Sequence, residues 1–445
     1  MSTIFAPITS INQNGVCVIR ISGDNTKKCL ESLGIDIANI KDRVAKLCNI
    51  TINKELIDKS LITFFNSPHS YTGEDVAEIS IHASKYIYNE IALHISKISN
   101  VRLAQAGEFS KRAFINNKID LLTAESVIDL IASETKIQHR QALRQYNGKI
   151  SNIYNSIRNN ILKSLSLIEA LIDFPDDDIP NEIIDEVNNI VKDLIVKISS
   201  MIDDKMIGQK IKSGFEVVII GKPNVGKSTL INYLTGNEIA ITSNISGTTR
   251  DIISSYIDID GLPIIISDTA GITETDNIIE IQGIKKAIDK ANKCDLKIIV
   301  INPEQEINSK IINLINKNSL IIINKIDQSN SNNINKCKDI LKKYCNNIIA
   351  ISLKENLNIC EIKPLIAKIL NKEYSNINES IITSQRHRLG LNNSLIHLRN
   401  FSLDKTIEIA AEDLRLAAQE LSIVTGDINI DNILDEIFSG FCIGK

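Results

Sequence analysis

The chain has 445 residues, 43% hydrophobic and 23% charged, with a formal net charge of −4. That length suits two or three domains with several apolar cores. The charge excludes a global basic field for nucleic acid, so any RNA contact is local or shared with a partner.

The eight cysteines (Cys17, Cys29, Cys48, Cys294, Cys337, Cys345, Cys360, Cys442) form no Cys-x-x-Cys pair and neighbour no histidine cluster. The pattern argues against zinc and a disulfide framework and fits a reducing cytoplasm. Met1 to Ser10 has neither a basic nor a long apolar leader, and no run of about 18 apolar residues occurs. The expectation is a cytoplasmic protein without a membrane span.

Residues 1–118 carry β-like runs at Val16–Ile21, Leu61–Phe65 and Val76–His82, and one helical stretch at Lys85–Ser99. They read as a compact α+β domain. From Leu121 the period changes. Ile157, Ile161, Leu165, Ile168 and Ile172 share one helix face, and the helix stops before Pro175 and the turn Asp176-Asp177-Asp178. Val187, Val191, Leu194 and Ile198 form a second stripe, and Ile407, Ala411, Leu414, Ala418 and Leu421 a third near the C-terminal end.

Between these helical flanks lie continuous apolar runs at Phe215–Ile220, Leu262–Ser267, Leu296–Ile301, Leu320–Ile323 and Ile348–Ile351, most of them separated by helix-like segments. Such strands belong to a parallel sheet covered on both faces. Ile252–Ile259 runs into Leu262 through Asp260-Gly261, a hairpin signal that makes it an antiparallel edge strand. The pattern places an α/β domain, residues 213–373, inside a helical domain made of 119–212 and 374–445.

The segment Gly221-Lys222-Pro223-Asn224-Val225-Gly226-Lys227-Ser228 fits G-x-x-x-x-G-K-[ST], and it joins an apolar strand to a helix through Thr229. That context defines a P-loop: backbone N–H groups and the helix N-terminus take up phosphate, Lys227 reaches the β- and γ-phosphates, and Ser228 offers a hydroxyl to Mg²⁺. Asp268-Thr269-Ala270-Gly271 ends a strand, where the carboxylate serves the Mg²⁺ shell and Gly271 admits the γ-phosphate. Between the two lies Gly247-Thr248-Thr249-Arg250-Asp251, with Thr249 preferred over Thr248 for Mg²⁺. Asn324-Lys325-Ile326-Asp327 follows the next strand, and Asp327 suits the N1–H and amino group of guanine, which adenine does not offer. Ser352-Leu353-Lys354 supplies a backbone N–H for the guanine oxygen. GTP is thus the expected substrate.

Two positions depart from common GTPases. Ile272 stands where a water-orienting glutamine is frequent. The acidic residues Glu274, Asp276 and Glu280 follow, either as a solvated loop or as the replacement. Asn224 either caps its turn or holds a monovalent cation that offsets transition-state charge.

Taken together these motifs resemble the bacterial tRNA modification GTPase family MnmE (TrmE). The resemblance also rests on Tyr71-Thr72-Gly73-Glu74-Asp75, Ala106-Gly107-Glu108-Phe109-Ser110-Lys111-Arg112-Ala113-Phe114 and Ile437-Phe438-Ser439-Gly440-Phe441-Cys442-Ile443-Gly444-Lys445. It covers essentially the whole chain. It implies a multidomain α/β and α fold: an N-terminal α+β folate-binding-like and dimerising domain, and a helical domain interrupted by an inserted Ras-like P-loop GTPase domain.

The resemblance also implies roles. Arg20, Glu78, Lys118 and Lys445 match folate contacts, for a tetrahydrofolate derivative of the 5-formyl or methylene type. His82-Ala83-Ser84 departs from the family's His-Gly-Gly there. Glu280 falls on the water-activating glutamate. Asn224 falls on a K⁺ ligand, joined by Ser243, Ile245 and Thr248, and the nucleotide-contacting loop extends over Ser243, Asn244, Ile245, Ser246, Gly247, Thr248 and Thr249.

The implied partners are a second copy of the chain, the FAD-dependent protein MnmG in a heterotetramer-type complex, and tRNA. The implied outcome is an aminomethyl-type group, such as carboxymethylaminomethyl, at position 5 of the wobble uridine. A ribosome-assembly GTPase is the competing reading, although the C-terminal segment has no strong basic patch. Cys442 lies four residues from the end, as in a prenylation box, but Gly444 and Lys445 fit that pattern poorly.

Overall fold

A computed structural model describes residues 1–11, 14–173, 181–236, 254–268, 289, 291–307, 309–374, 381–404, 406–426, 437–438, 441 and 444. Its chain divides into two compact units. One comprises Met1–Ile128, Arg144–Val191 and Ile396–Lys445; the other comprises Asp129–Leu143 and Lys192–Leu395.

The first unit contains a sheet of β1 (Thr3–Pro7), β2 (Val16–Ser22), β3 (Lys46–Ile52), β4 (Glu55–Phe65), β5 (Val76–His82) and β6 (Val101–Leu103), in the order β3-β4-β5-β2-β1-β6. Its pairs are antiparallel except β1 with β6. Alternation fixes its faces: Cys17, Ile19 and Ile21 of β2 point inward with Ala77, Ile79 and Ile81 of β5, against Leu30, Ile91 and Ile95. The intervening residues Val18, Arg20, Glu78 and Ser80 lie on the opposite, partly open face.

The sequence reading found β2, β5 and the second half of β4. It missed β1, β3 and β6. In β3, Asn49 and Thr51 interleave with Cys48, Ile50 and Ile52, and β6 is only three residues long. The single helical stretch is corrected to three helices, Thr26–Ser32, Lys85–Ile95 and Glu108–Ile115. The Lys85 helix ends at Ile95, where the N–H of Ser96 closes the last turn onto the Ala92 carbonyl.

The same unit holds the long helices Lys149–Asp173 and Ile407–Thr425, which pack together. Ile157, Ile161, Leu165 and Ile168 are buried, as are Ala411, Leu414, Ala418 and Leu421, so both stripes read from sequence face a core. The alanines allow close approach of the backbones.

The second unit is built on β7 (Phe215–Ile220), β8 (Ser254–Ile259), β9 (Leu262–Asp268), β10 (Leu296–Ile301), β11 (Leu320–Ile323) and β12 (Ile348–Ala350), in the order β12-β11-β10-β7-β9-β8. All pairs are parallel except β8 with β9. Asp260 and Gly261 both take positive φ (55° and 84°), the geometry of a tight hairpin turn, and β8 is the antiparallel edge strand expected. Val217, Ile219, Ile298 and Ile322 enter one core, and Val218, Ile220, Ile299 and Ile321 enter another. Burial on both faces is why these strands lack polar alternation.

Candidate functional site

In an open parallel sheet, ligands gather outside the carboxyl ends of the strands. The loops after β7, β9, β11 and β12 all leave from that edge, and they carry the nucleotide motifs read from sequence.

After β7 the chain turns through Asn224 (φ 60°) and Gly226 (φ 105°) into the helix Lys227–Thr235. Gly226 is required twice over. Its φ is left-handed, and a Cβ there would stand 2.3 Å from Asn324 Nδ2. The Lys227 ammonium donates to the carbonyls of Gly221 (3.0 Å) and Lys222 (2.9 Å), which holds it across the mouth of the loop. Ser228 and Thr229 are exposed on the first turn, and Val225 is buried beneath them. The exposed Asn224 amide makes no hydrogen bond among the described residues, and the Ser228 hydroxyl makes none either.

Asn324 is buried and works as a clasp. Its Nδ2 donates to the Val225 carbonyl at 2.8 Å, and its Oδ1 accepts from the Leu353 N–H at 3.1 Å. One side chain thus ties the loop after β7 to the loop after β12. Lys325 takes a left-handed φ of 66° and turns the chain into Ile326–Gln328. Asp327 Oδ1 accepts from Ser352 Oγ at 2.6 Å, and Ser352 Oγ accepts from the Glu355 N–H at 3.1 Å. Ser352 is buried, so the exposed Asp327 carboxylate is anchored from below. Lys354 extends to solvent, 3.8 Å from Glu355. Asn324, Asp327, Ser352 and Leu353 are therefore brought together. The clasp itself was not foreseen, although the asparagine opening the Asn-Lys-x-Asp tetrad was its signal.

Only the backbone of Asp268 is described, opposite Ile219 at the end of β9. Ser243, Asn244, Ile245, Ser246, Gly247, Thr248, Thr249, Thr269, Ala270, Gly271, Ile272, Glu274, Asp276 and Glu280 lie outside the described residues, as do Cys442 and Lys445.

A second polar centre sits on the open face of the first sheet. Arg20 and Glu78 are direct cross-strand partners, and Glu78 Oε1 accepts from Arg20 Nε (3.0 Å) and Nη2 (2.8 Å). The guanidinium lies 5.3 Å from the Tyr71 ring centroid and 5.6 Å from that of Phe109. The Tyr71 hydroxyl is fixed to Ser110 Oγ at 2.8 Å. The guanidinium thus lies over two rings, and Glu78 Oε2 makes no hydrogen bond among the described residues. Lys118 packs at Gly73 in the Tyr71–Asp75 segment. Gly444 lies against β1, and a Cβ there would meet the Pro7 carbonyl oxygen at 2.4 Å. Pro7 adjoins Ala6, the register partner of Arg20.

The two N-terminal motifs also explain one another. Buried Arg112 donates to both Glu74 oxygens (3.0 and 2.9 Å), to Glu108 (3.0 Å) and to the Ser2 carbonyl (2.7 Å). Burial pushes the Glu108 carboxyl up, but bonds from Arg102, the Gln105 N–H and Arg112 outweigh it and hold its pKa below the ordinary value.

At the opposite edge of the second sheet, Asp295 accepts from Lys210, the Tyr374 hydroxyl (2.6 Å) and the Glu216 N–H (2.8 Å). Burial and the Asp295 bond raise the Tyr374 pKa. This cluster joins the segment leading into β7 to the segment leaving the helix Ile362–Glu373. Nothing in the motif spacing announced it.

Comparison with known proteins adds family information. Residues 3–118 match the family described as GTP-binding protein TrmE N-terminus, and residues 121–442 match the MnmE helical domain. The chain is 46% identical to a tRNA modification GTPase MnmE of Rickettsia rickettsii and 46% identical to that of Rickettsia conorii, in both cases over 100% of each chain. Among solved structures, a crystal structure of Aquifex aeolicus Era bound to GDP and AlF4⁻ aligns at 31% identity, covering 35% of this chain and 56% of that one, with a TM-score of 0.29.

Proposed function

The chain belongs to the MnmE family of tRNA modification GTPases, and from that premise we propose that its GTP hydrolysis drives modification at position 5 of the wobble uridine, jointly with the FAD-dependent partner MnmG. The observation that carries the GTP half of this reading is the Asn324 clasp. It joins the phosphate-type loop to the anchored Asp327 in a single buried arrangement. The free edge of Asp327 suits paired guanine donors, and a site built on such bonds discriminates strongly against a base lacking them.

In this reading Ser228 and Thr249 hold Mg²⁺, with Asp268 behind them. The fit at Ser228 is an exposed hydroxyl, on the first turn of a helix, that has no hydrogen-bond partner among the described residues. Asn224 fits a monovalent cation on similar grounds: its amide is exposed, makes no hydrogen bond among the described residues and is held at left-handed φ in the loop. Ser243, Ile245 and Thr248 complete that K⁺ site. Glu280 orients the attacking water in place of the absent glutamine. Lys227, held by two carbonyls, is already oriented toward the loop that receives phosphate.

The N-terminal centre takes a reduced folate of the 5-formyl or methylene type. Arg20 and Glu78 present a donor beside an acceptor, with two rings against the guanidinium, which suits a flat heterocycle edge. Lys118 and Lys445 suit the anionic glutamate tail. The folate supplies the one-carbon unit when bound. The domains are assigned as 1–118 for folate binding and dimerisation, 213–373 for GTP, and 119–212 with 374–445 as the helical body.

Nucleoside analysis of tRNA from cells lacking the protein tests this reading. Loss of a modified wobble uridine is expected. Intact tRNA nucleosides with a ribosome-assembly defect would overturn it in favour of an assembly GTPase.

A further inference from the structure

We infer that the helix Lys136–Tyr146 is a docking surface for the sugar–phosphate backbone of RNA. The inference rests on the reading of tRNA as the substrate. Thr135 to Ile168 contains no aspartate or glutamate, in a chain with 54 acidic and 50 basic residues. The same stretch carries Lys136, Arg140, Arg144, Lys149, Arg158 and Lys163. A negatively charged protein has therefore kept one segment free of negative charge.

On the helix, Lys136 and Arg140 are spaced by four and share one exposed face, about 6 Å apart along the axis, and half-buried Arg144 follows one turn on. Like charges at the spacing of Lys136 and Arg140 destabilise a helix, and the helix sequence contains no acidic residue. Lys136 stands in the first turn, where the helix dipole disfavours a cation. These costs are offset when the face meets a polyanion. Lys136, His139, Arg140 and Tyr146 are exposed, whereas Gln141 and Ala142 are buried. The Gln141 amide donates to the Gly208 carbonyl at 3.0 Å and fixes the rotation of the helix from its buried side.

An anionic membrane is the weaker match. The helix lacks the broad apolar face an interfacial helix inserts into lipid, because Ile137 and Leu143 are half-buried. Arginine and an exposed tyrosine instead suit phosphate forks and base stacking.

The test uses the full-length chain and an unmodified tRNA transcript, with binding followed by fluorescence anisotropy across a KCl series. Lys136→Glu with Arg140→Glu should weaken binding at least tenfold and lower the slope of log affinity against log salt by about 1–2. GTP turnover should stay within twofold. Lys28→Glu with Lys97→Glu, an equal charge change elsewhere, should leave binding within threefold. If the glutamate pair unfolds by circular dichroism, Lys136→Gln with Arg140→Gln gives the same comparison. Wild-type affinity and slope in the helix variant overturns the inference, as does equal loss in the control, absence of tRNA binding by the wild type, or binding to anionic vesicles in place of tRNA. The nucleoside analysis above is independent, so docking can fail while the function stands.

Discussion

Replacing Asn324 by alanine removes both arms of the clasp at once. Each bond contributes about 1 kcal/mol net, and the buried Val225 carbonyl and the Leu353 N–H lose their partner, which adds desolvation cost. The sum is about 2–4 kcal/mol. It falls on the arrangement in which the phosphate and base loops stand in register, so the competent fraction drops and apparent affinity drops with it. The expected weakening of GDP and GTP is about 30- to 1000-fold. Titration with a fluorescent GDP analogue at fixed Mg²⁺ measures it, with circular dichroism to confirm retained fold. A Kd within threefold of wild type in a folded protein would refute the claim that one side chain couples the two loops.

The remaining predictions concern catalysis and stability. Glu280→Ala should retain nucleotide affinity and lose most GTP turnover; full turnover in single-turnover assays removes Glu280 from the mechanism. Hydrolysis should run faster in KCl than in NaCl at equal ionic strength, and equal rates would dismiss the cation role of Asn224. Because the Glu108 pKa is depressed in the fold, its stabilisation is present above the ordinary carboxylate value of 4.5 and is lost as pH falls through the folded one. Glu108→Gln should therefore lower stability by about 1–2 kcal/mol near pH 7, and the gap to wild type should close on acidification; a gap constant with pH in denaturant titrations would contradict this. Lys210→Met leaves buried Asp295 with two donors instead of three, and the melting temperature should fall by about 3–10 °C. An unchanged melting curve would mean that the Tyr374 and Glu216 donors satisfy Asp295 alone.

Much of this was legible because it is local. A continuous apolar run such as Leu320–Ile323 is what a doubly covered strand requires, and its hydrophobicity shows in any window. Asp260-Gly261 announced the antiparallel edge because few other residues accept two positive φ values in succession. β3 was not legible, since Asn49 and Thr51 on its open face and Lys46 at its start mimic a loop. The Asp295–Lys210–Tyr374 cluster was hidden for a different reason. Its members are far apart in sequence, and each alone is an ordinary polar residue. Arg20 and Glu78 were named by resemblance, but the Tyr71 and Phe109 rings against the guanidinium depend on the approach of a distant helix.

The contact of Gly444 with Pro7 has a temporal side. A ribosome adding about 5–20 residues per second separates the two by tens of seconds. The end of β1 at Pro7 and Ile8 must therefore wait for this contact until residue 444 has emerged. A nascent chain that stalls before residue 444 retains every nucleotide motif yet never gains the contact at Pro7. Such a product would carry the sequence of the GTP site while its N-terminal centre lacked the packing at the end of β1.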